Sequence, residues 1–487
     1  MATNTSASAP PRTRFPWPRV TAGWLALLGS VALAQDRLPP APNVEVEEDV
    51  YTYVDARNGA GPMWCYGSTC LVRLGEQVFA SGLETVPGAR PLNNCRWLLF
   101  ERKTDNWERM RTELFSLTRE PSPLAGFGAG DSGRVFLSAH PTLNPDQEAG
   151  EARSEIIEFP AADVKGERGG ARRVHAINWG GAKLTEHSYR SFAADGRNEE
   201  MILFVNSGNW GVSWSFMDSA GIWSMAKELR WPWGATYETP QPVRICYPNV
   251  MLKDGAVHFC GVSDIIEPKK AWRDFKKELT GREWDYDFRR LFYIRAPNIR
   301  NGLFGSWVEV ASREDTCGWI SPGDLWVDDE DRVHLVWHER AIDERLRPRF
   351  FPAARQSYSI RYARLRNDEV QLRRTLVMAE EGGTEPGSKE RPASPRFQIT
   401  PDQRMFVVYY VGGTTQEGEA VSENRLLEIL PNGEATAPVK LPLQHPLDRY
   451  FTATPRAGSP PSNTLDMLGT RAGTPLTISY ARVRLLP

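Results

Sequence analysis

The chain has 487 residues, 41% of them hydrophobic and 25% charged, which excludes a disordered, collagenous or coiled-coil polymer and leaves ample material for a packed core. Its 59 basic residues stand against 61 acidic ones, with no basic surplus to neutralise phosphates, so nucleic acid is not an expected partner. The 17 Trp, 14 Tyr, 20 Phe, 40 Gly and 37 Pro describe an aromatic-rich, turn-rich β protein.

At the N-terminus, Arg12, Arg14 and Arg19 precede an apolar run from Val20 to Leu33 that ends in Ala32-Leu33-Ala34, the pattern of a secretory leader. The run falls short of the roughly 20 residues a membrane span needs. Residues 1–34 are therefore expected to be a signal peptide and 35–487 a single domain, periplasmic or extracellular, monomeric and without membrane attachment. Cleavage after Ala34 leaves 56 basic residues against 61 acidic. The six cysteines, at 65, 70, 95, 246, 260 and 317, are an even set compatible with an oxidising compartment. Cys246 and Cys260 flank a hairpin turn at Lys253-Asp254-Gly255 and form the expected disulfide. No cysteine or histidine spacing matches a zinc finger.

One element recurs along the chain: an extended segment, a polar turn, then a strongly β-forming strand. The second strands begin near Val78, Val135, Met201, Val257, Val333, Met405 and Pro475, at spacings of 57, 66, 56, 76, 72 and 70 residues. Most are followed by a further strand-like stretch: Cys95 to Glu101, Arg153 to Phe159, Ser213 to Phe216, Leu291 to Arg295, Ser359 to Leu365 and Asn424 to Ile429. A four-stranded meander cannot bury both its faces alone, and radial repetition about an axis solves that while protecting strand edges. The pattern predicts an all-β, seven-bladed β-propeller, with six blades as the rival count. Val44 to Val54 is expected to pair with Leu476 to Leu485 and close the ring.

This repeat form resembles the sialidase-like, BNR-repeat propeller superfamily and, more loosely, the propeller lyases that cut uronate-containing polysaccharides. The Asp-box of that superfamily has a degenerate counterpart in Asp218-Ser219-Ala220-Gly221-Ile222-Trp223, and Arg244-Ile245-Cys246-Tyr247-Pro248 loosely echoes the arginine-isoleucine-proline signature of true sialidases. The resemblance implies a propeller fold and a carbohydrate partner.

Antiparallel order puts the start of each inner strand and the end of each second strand on the same side of the disc. Inner-strand starts carry Trp64 and Tyr66; Arg119 and Glu120; Glu186, His187, Tyr189 and Arg190; Arg244 and Tyr247; Trp319; Arg396; and Arg456. Second-strand ends carry Glu84, His140, Asn206, Asp264 and His338-Glu339-Arg340. The same side should receive insertions at 267–290 and 341–356 in blades 4 and 5. In the first, Trp272, Phe275 and Leu279 have helical spacing between Pro268 and Gly281. Trp284, Tyr286, Phe350 and Phe351 are candidate sugar-stacking groups, with packing of the insertions onto the disc as the alternative.

Guanidinium forks match carboxylates and sulfates. Arg119, Arg190, Arg244 and Arg396, with Trp64, Tyr66, His140 and His338, are accordingly the expected binding set for an acidic oligo- or polysaccharide. For cleavage, His187, Tyr189, Tyr247 and Glu339 are the catalytic candidates. In β-elimination, His187 or a tyrosinate removes the C5 proton and Tyr189 or Tyr247 protonates the departing oxygen. In hydrolysis, Glu84, Glu120, Asp264 and Glu339 supply carboxylates. A glycan- or protein-binding propeller without catalysis is the alternative. His334 and His338 lie about 13 Å apart along a strand, too far to share an ion. No GxGxxG, P-loop, GxSxG or HExxH motif is present, so no metal or cofactor is expected.

Overall fold

The computed structural model describes residues 41–486 except 148–149, 168, 170–171, 264, 283–285, 382–388 and 416. Residues 1–34, Asp264 and Trp284 thus lie outside the described residues. Seven four-stranded antiparallel sheets make seven blades. Their innermost strands are Leu71–Leu74, Leu124–Phe127, Arg190–Asp195, Ile245–Lys253, Trp319–Val327, Arg391–Ile399 and Leu447–Thr452. The inner strands are buried on both faces because each sheet is packed between two neighbours, while outer strands such as Glu369–Glu380 face solvent on one side. Arg190–Asp195, Glu200–Asn206 and Gly211–Met217 of blade 3 are buried at every position.

Six of the seven blades follow the repeat read from the sequence. In the seventh, the inner strand is Leu447–Thr452, the second is Thr464–Arg471 and the third is Thr474–Leu486, one strand out of step with the expectation. The N-terminal strand Ala41–Thr52 supplies the outer edge by pairing antiparallel with Thr474–Leu486, from Ala41 opposite Leu486 to Thr52 opposite Thr477. Borrowing that strand from the other end of the chain frees the last C-terminal strand to be third instead of fourth. The ring is closed by the expected pair of segments.

The hairpin at Lys253-Asp254-Gly255 forms as read, with Asp254 and Gly255 at φ 49 and 78, the left-handed pair that two-residue turns use. Its cysteines do not face each other. Pairing from the turn sets Cys260 opposite Asn249, and a bulge between Cys246 and Asn249 leaves Cys246 opposite Val262. Cys246 and Cys260 are not paired with each other, which corrects the expected disulfide, and Cys65, Cys70, Cys95, Cys260 and Cys317 are thiols.

The insertion helix spans Lys270–Thr280 and ends on Gly281 at φ 69, whose N–H caps the Lys277 carbonyl. Trp272 and Phe275 pack against Phe350 and Phe351, ring centroids 5.4 to 6.4 Å apart, so these aromatics join the two insertions to each other. Beneath them Glu267 holds both Lys276 (3.0 Å) and Arg289 (2.8 Å) in a buried network.

The axis is filled from below and at its middle. Segment 453–463, between the inner and second strands of blade 7, turns into the lower opening, where Gly126 and Ala194 donate N–H bonds to the Ala457 and Arg456 carbonyls. Gly458, at φ 87, comes so close to blade 2 that a Cβ would lie 2.0 Å from the Gly126 carbonyl oxygen. Arg456, expected at an inner-strand start on the upper face, instead lies mid-axis. It donates to Asp324 (2.6 Å), Gly67 O (3.1 Å), Val250 O (3.2 Å) and Asn249 Oδ1 (3.2 Å). The other Asp324 oxygen accepts the Phe397 N–H at 3.0 Å. One ion pair therefore ties blades 1, 4, 5, 6 and 7 together.

Replacing Arg456 with Met leaves Asp324 charged and buried without its cation. Urea unfolding is expected to show a loss of about 3 to 5 kcal/mol for Arg456→Met, and most of that loss to be recovered when Asp324→Asn is added.

Candidate functional site

The upper face, where the inner strands begin, carries an arc of rings. Trp64 and Tyr66 meet Tyr247 at 5.9 and 5.2 Å, and Tyr247 meets Tyr189 at 4.8 Å and Phe288 at 6.0 Å. Phe288 continues to Trp319 at 4.5 Å. Most contacts are edge-to-face, the arrangement aromatic quadrupoles favour. Two of the rings sit on left-handed backbone, Tyr189 at φ 67 and Tyr247 at φ 49. Bulky residues rarely adopt that conformation, and at both sites it is held by the surroundings. Glu120 accepts the Tyr189 N–H with both carboxylate oxygens at 3.1 and 3.2 Å, and the Arg244 guanidinium stacks 5.2 Å over the Tyr189 ring while pairing with Glu186 at 2.8 Å.

Two cavities open on this face and share Tyr66 and Arg449. The larger, about 760 Å³, lies over blades 5 to 7 and is lined by His338, Arg391, Arg396, Tyr410 and Asp448 among others. The smaller, about 300 Å³, lies over blade 1 beside Trp64, Thr85 and Thr470. The larger cavity gathers Lys389, Arg391, Arg396 and Arg449 against the single carboxylate of Asp448. Lys389, Arg391 and Arg449 are exposed, and the Arg449 guanidinium lies against the Tyr66 hydroxyl. His338 has its Nδ1 buried without a hydrogen-bond partner, and burial, reinforced by Arg396, lowers its pKa to about 4.

The expected arginines divide. Arg190 is buried and donates to the Ser138 and Pro121 carbonyls at 2.8 and 2.9 Å, and Arg396 to those of Gly323 and Tyr450. Both satisfy inter-blade backbone first. Arg119 spans Asn58 O and Ser188 Oγ at the edge of the arc. His140 and His187 sit 5.7 Å apart beneath the surface, only 1% and 4% exposed. The His140 Nε2 faces the Glu186 carbonyl oxygen and its Nδ1 the Ser154 hydroxyl, so its ring is held neutral between an acceptor and a donor, and burial keeps its pKa well below the usual histidine range. His187 bonds the Gly150 carbonyl oxygen.

Glu339 stands apart from the cavities. Residues 338 and 339 point to opposite faces of the strand Val333–Arg340. His338 faces the blade 6 side and the cavity. Glu339 is locked by Arg313, Arg361 and the Trp337 indole. Glu84 pairs with Arg96 at 2.6 Å, away from the arc. Sequence reasoning missed Phe288, Arg391, Tyr410, Asp448 and Arg449. The starts of inner strands 6 and 7 carry Arg391 and Arg449, a signal that was readable once those strands are set at 391 and 447.

Fold and site together define a closed seven-bladed propeller with a cationic, tyrosine-lined mouth. No protein-family model matches this sequence, and no curated protein does. Among solved structures, it is similar in fold to an α-L-arabinanase from Penicillium chrysogenum, at 9% identity, TM-score 0.38 and coverage of 90% of this chain and 98% of that one. An α-L-arabinofuranosidase from Fusarium graminearum shares 11% identity at TM-score 0.43, covering 91% and 98%. An ulvan lyase, from a family of polysaccharide lyases, shares 9% at TM-score 0.46, covering 90% and 96%.

Burial pushes the Glu120 carboxyl up to about 7, against the pull of Arg190 and Arg119. An unfolded glutamate titrates near 4.3, so the fold favours the protonated acid, and stability from this group is lost as pH rises from about 4.3 to about 7. Glu120→Gln keeps an acceptor for the Tyr189 N–H and removes the titration. Its melting temperature relative to wild type is therefore expected to rise between about pH 5 and about pH 8. A difference that stays constant with pH counts against the raised carboxyl.

Proposed function

We propose that this chain is an exported carbohydrate-active propeller that binds an acidic glycan at its upper mouth and cleaves it by β-elimination. The supporting observation is the composition of the larger cavity: four cationic side chains, three tyrosines and a histidine against one carboxylate. Exposed Arg449 and Arg391 suit a uronate carboxylate, and neutralising that charge makes the C5 proton acidic enough to remove. His338, neutral at ordinary pH, takes that proton. Tyr66, held against Arg449, protonates the departing glycosidic oxygen. Trp64, Tyr189 and Tyr247 form the shelf on which neighbouring sugars stack, with Arg119 and Arg244 at its edge, and the buried pair His140 and His187 supports the shelf from below.

Hydrolysis is less well supported. It needs two carboxyl groups about 5 to 9.5 Å apart across the scissile bond. Glu120, Glu186 and Glu339 are each committed to another partner, and among the described residues lining the larger cavity only Asp448 is acidic. Residues 1–34 serve in this reading as the export leader. No helix among the described residues is long and apolar enough to cross a membrane.

Incubation with uronate-rich polysaccharides is expected to yield products absorbing in the unsaturated-uronate band. Saturated products, or no turnover on uronides and sulfated glycans, refute elimination. His338→Gln is expected to lower kcat by about 10² to 10⁴-fold while glycan binding persists. Because burial and Arg396 lower the His338 pKa to about 4, its proton-accepting form prevails above that value, and kcat/KM should fall only in the acid limb near pH 4. Arg449→Gln is expected to raise KM about tenfold or more, through loss of a charge-assisted contact.

A further inference from the structure

Tyr66 is shared by both cavities, yet it belongs to no strand. Its position rests on segment 65–70, which dips toward the axis between Trp64 and the first inner strand. The segment is tightly fitted. A Cβ on Gly67 would lie 1.9 Å from the Pro248 carbonyl oxygen, Ser68 Oγ accepts the Phe192 N–H at 3.0 Å, and Thr69 Oγ1 donates to the Thr452 carbonyl at 2.9 Å. A turn bond from Ser68 N–H to the Cys65 carbonyl, 2.9 Å, brings the two ends of the segment together. Those ends are Cys65 and Cys70. Their sulfurs lie 3.5 Å apart, and both residues are buried in one apolar cluster with Met63, Leu71 and Phe451.

We propose that Cys65 and Cys70 are a disulfide-forming pair that clamps the loop carrying Tyr66. Sulfurs in van der Waals contact need only a side-chain rotation to reach bonding distance, and the bond closes a ring around Tyr66, Gly67, Ser68 and Thr69. Thiol–disulfide exchange with oxidised glutathione supplies the chemistry in balance. One cysteine thiolate attacks a glutathione sulfur and releases the first glutathione thiolate. The second cysteine, losing its proton, attacks the mixed disulfide and releases the other. Two cysteine thiols are oxidised, and one glutathione disulfide is reduced to two glutathiones. Because both sulfurs are buried, the exchange belongs to folding or to transient opening of the loop, and the finished bond is shielded from reductant in the same way.

Trypsin places both sulfurs in one peptide, Asn58 to Arg73, with no other cysteine. The full chain is equilibrated with oxidised glutathione, denatured, alkylated with N-ethylmaleimide without reductant, and digested. The expected result is a 58–73 peptide two hydrogens lighter than the dithiol and free of label, with Cys95, Cys246, Cys260 and Cys317 alkylated. Label on both cysteines, or glutathione retained on either, overturns the pairing. In a second measurement, tris(2-carboxyethyl)phosphine should lower the melting temperature of the wild type by a few degrees and leave the Cys65→Ser/Cys70→Ser double variant unmoved. A wild type whose melting is indifferent to the reductant after the bond has been removed overturns the clamp.

Discussion

The structure depends on the buried ion pair between Arg456 and Asp324. A propeller leaves an axial opening into which seven inner strands present backbone and side chains, and whatever stands there must satisfy polar groups from several blades at once. Arg456 brings five N–H donors in a rigid fork, and Asp324 brings two oxygens. Between them they address blades 1, 4, 5, 6 and 7 within hydrogen-bond distance. Such a pair repays its desolvation only when every remaining donor and acceptor is matched, and here the surrounding carbonyls and Asn249 do that matching. With the middle of the axis filled, cavities remain at both ends, about 500 Å³ on the lower face beside Asp195, Asp254 and Pro460, and about 760 and 300 Å³ on the upper one.

That face owes its chemistry to alternation along strands. Adjacent residues on a strand point to opposite sides of a sheet, so His338 and Glu339, neighbours in sequence, serve different blade interfaces. Burial then sorts the arginines. Arg190, Arg396 and Arg456 lie deep enough that their guanidinium groups are spent on carbonyls and Asp324, whereas Arg391 and Arg449 stand one step further out and remain exposed. The charge that faces solvent is therefore not the charge nearest the axis. Tyr189 and Tyr247 show a related logic, since left-handed backbone costs energy that the Glu120 carboxylate and the interlocked rings must offset.

Much of the architecture was readable before any coordinates. The strong β-forming strands Val78, Val135, Met201, Val257, Val333 and Met405 fall within one residue of the observed second-strand starts, because six blades carry all their strands in order. The seventh was displaced because its inner strand is Leu447–Thr452, one strand ahead of the expected one, even though the pairing of 44–54 with 476–485 that closes the ring was itself legible. The displacement carried Arg456 to the wrong address and hid Arg449, while Arg391 was passed over because the inner strand of blade 6 begins at Arg391, ahead of the expected Ser394. The helix at Lys270–Thr280 was legible from the spacing of Trp272 and Phe275, but the partners of those rings, Phe350 and Phe351, lie in another insertion. The expected Cys246–Cys260 bond failed because the two-residue turn at Asp254-Gly255 pairs Cys260 with Asn249, and even the bulge beyond it brings Cys246 only opposite Val262.

The sequence alone determined the blade count, the β-meander of each unit, the ring-closing pair of segments and the side of the disc on which Trp64, Tyr66, Tyr189, Tyr247, Arg244 and His338 gather. Hydrophobic periodicity and antiparallel order are local properties, and they suffice for those conclusions. Which arginine is buried, which histidine lines a cavity, which cysteines touch and what fills the axis were decided only by tertiary structure. Those outcomes depend on residues from several blades meeting at one point, and their separation along the chain carries no trace of that meeting.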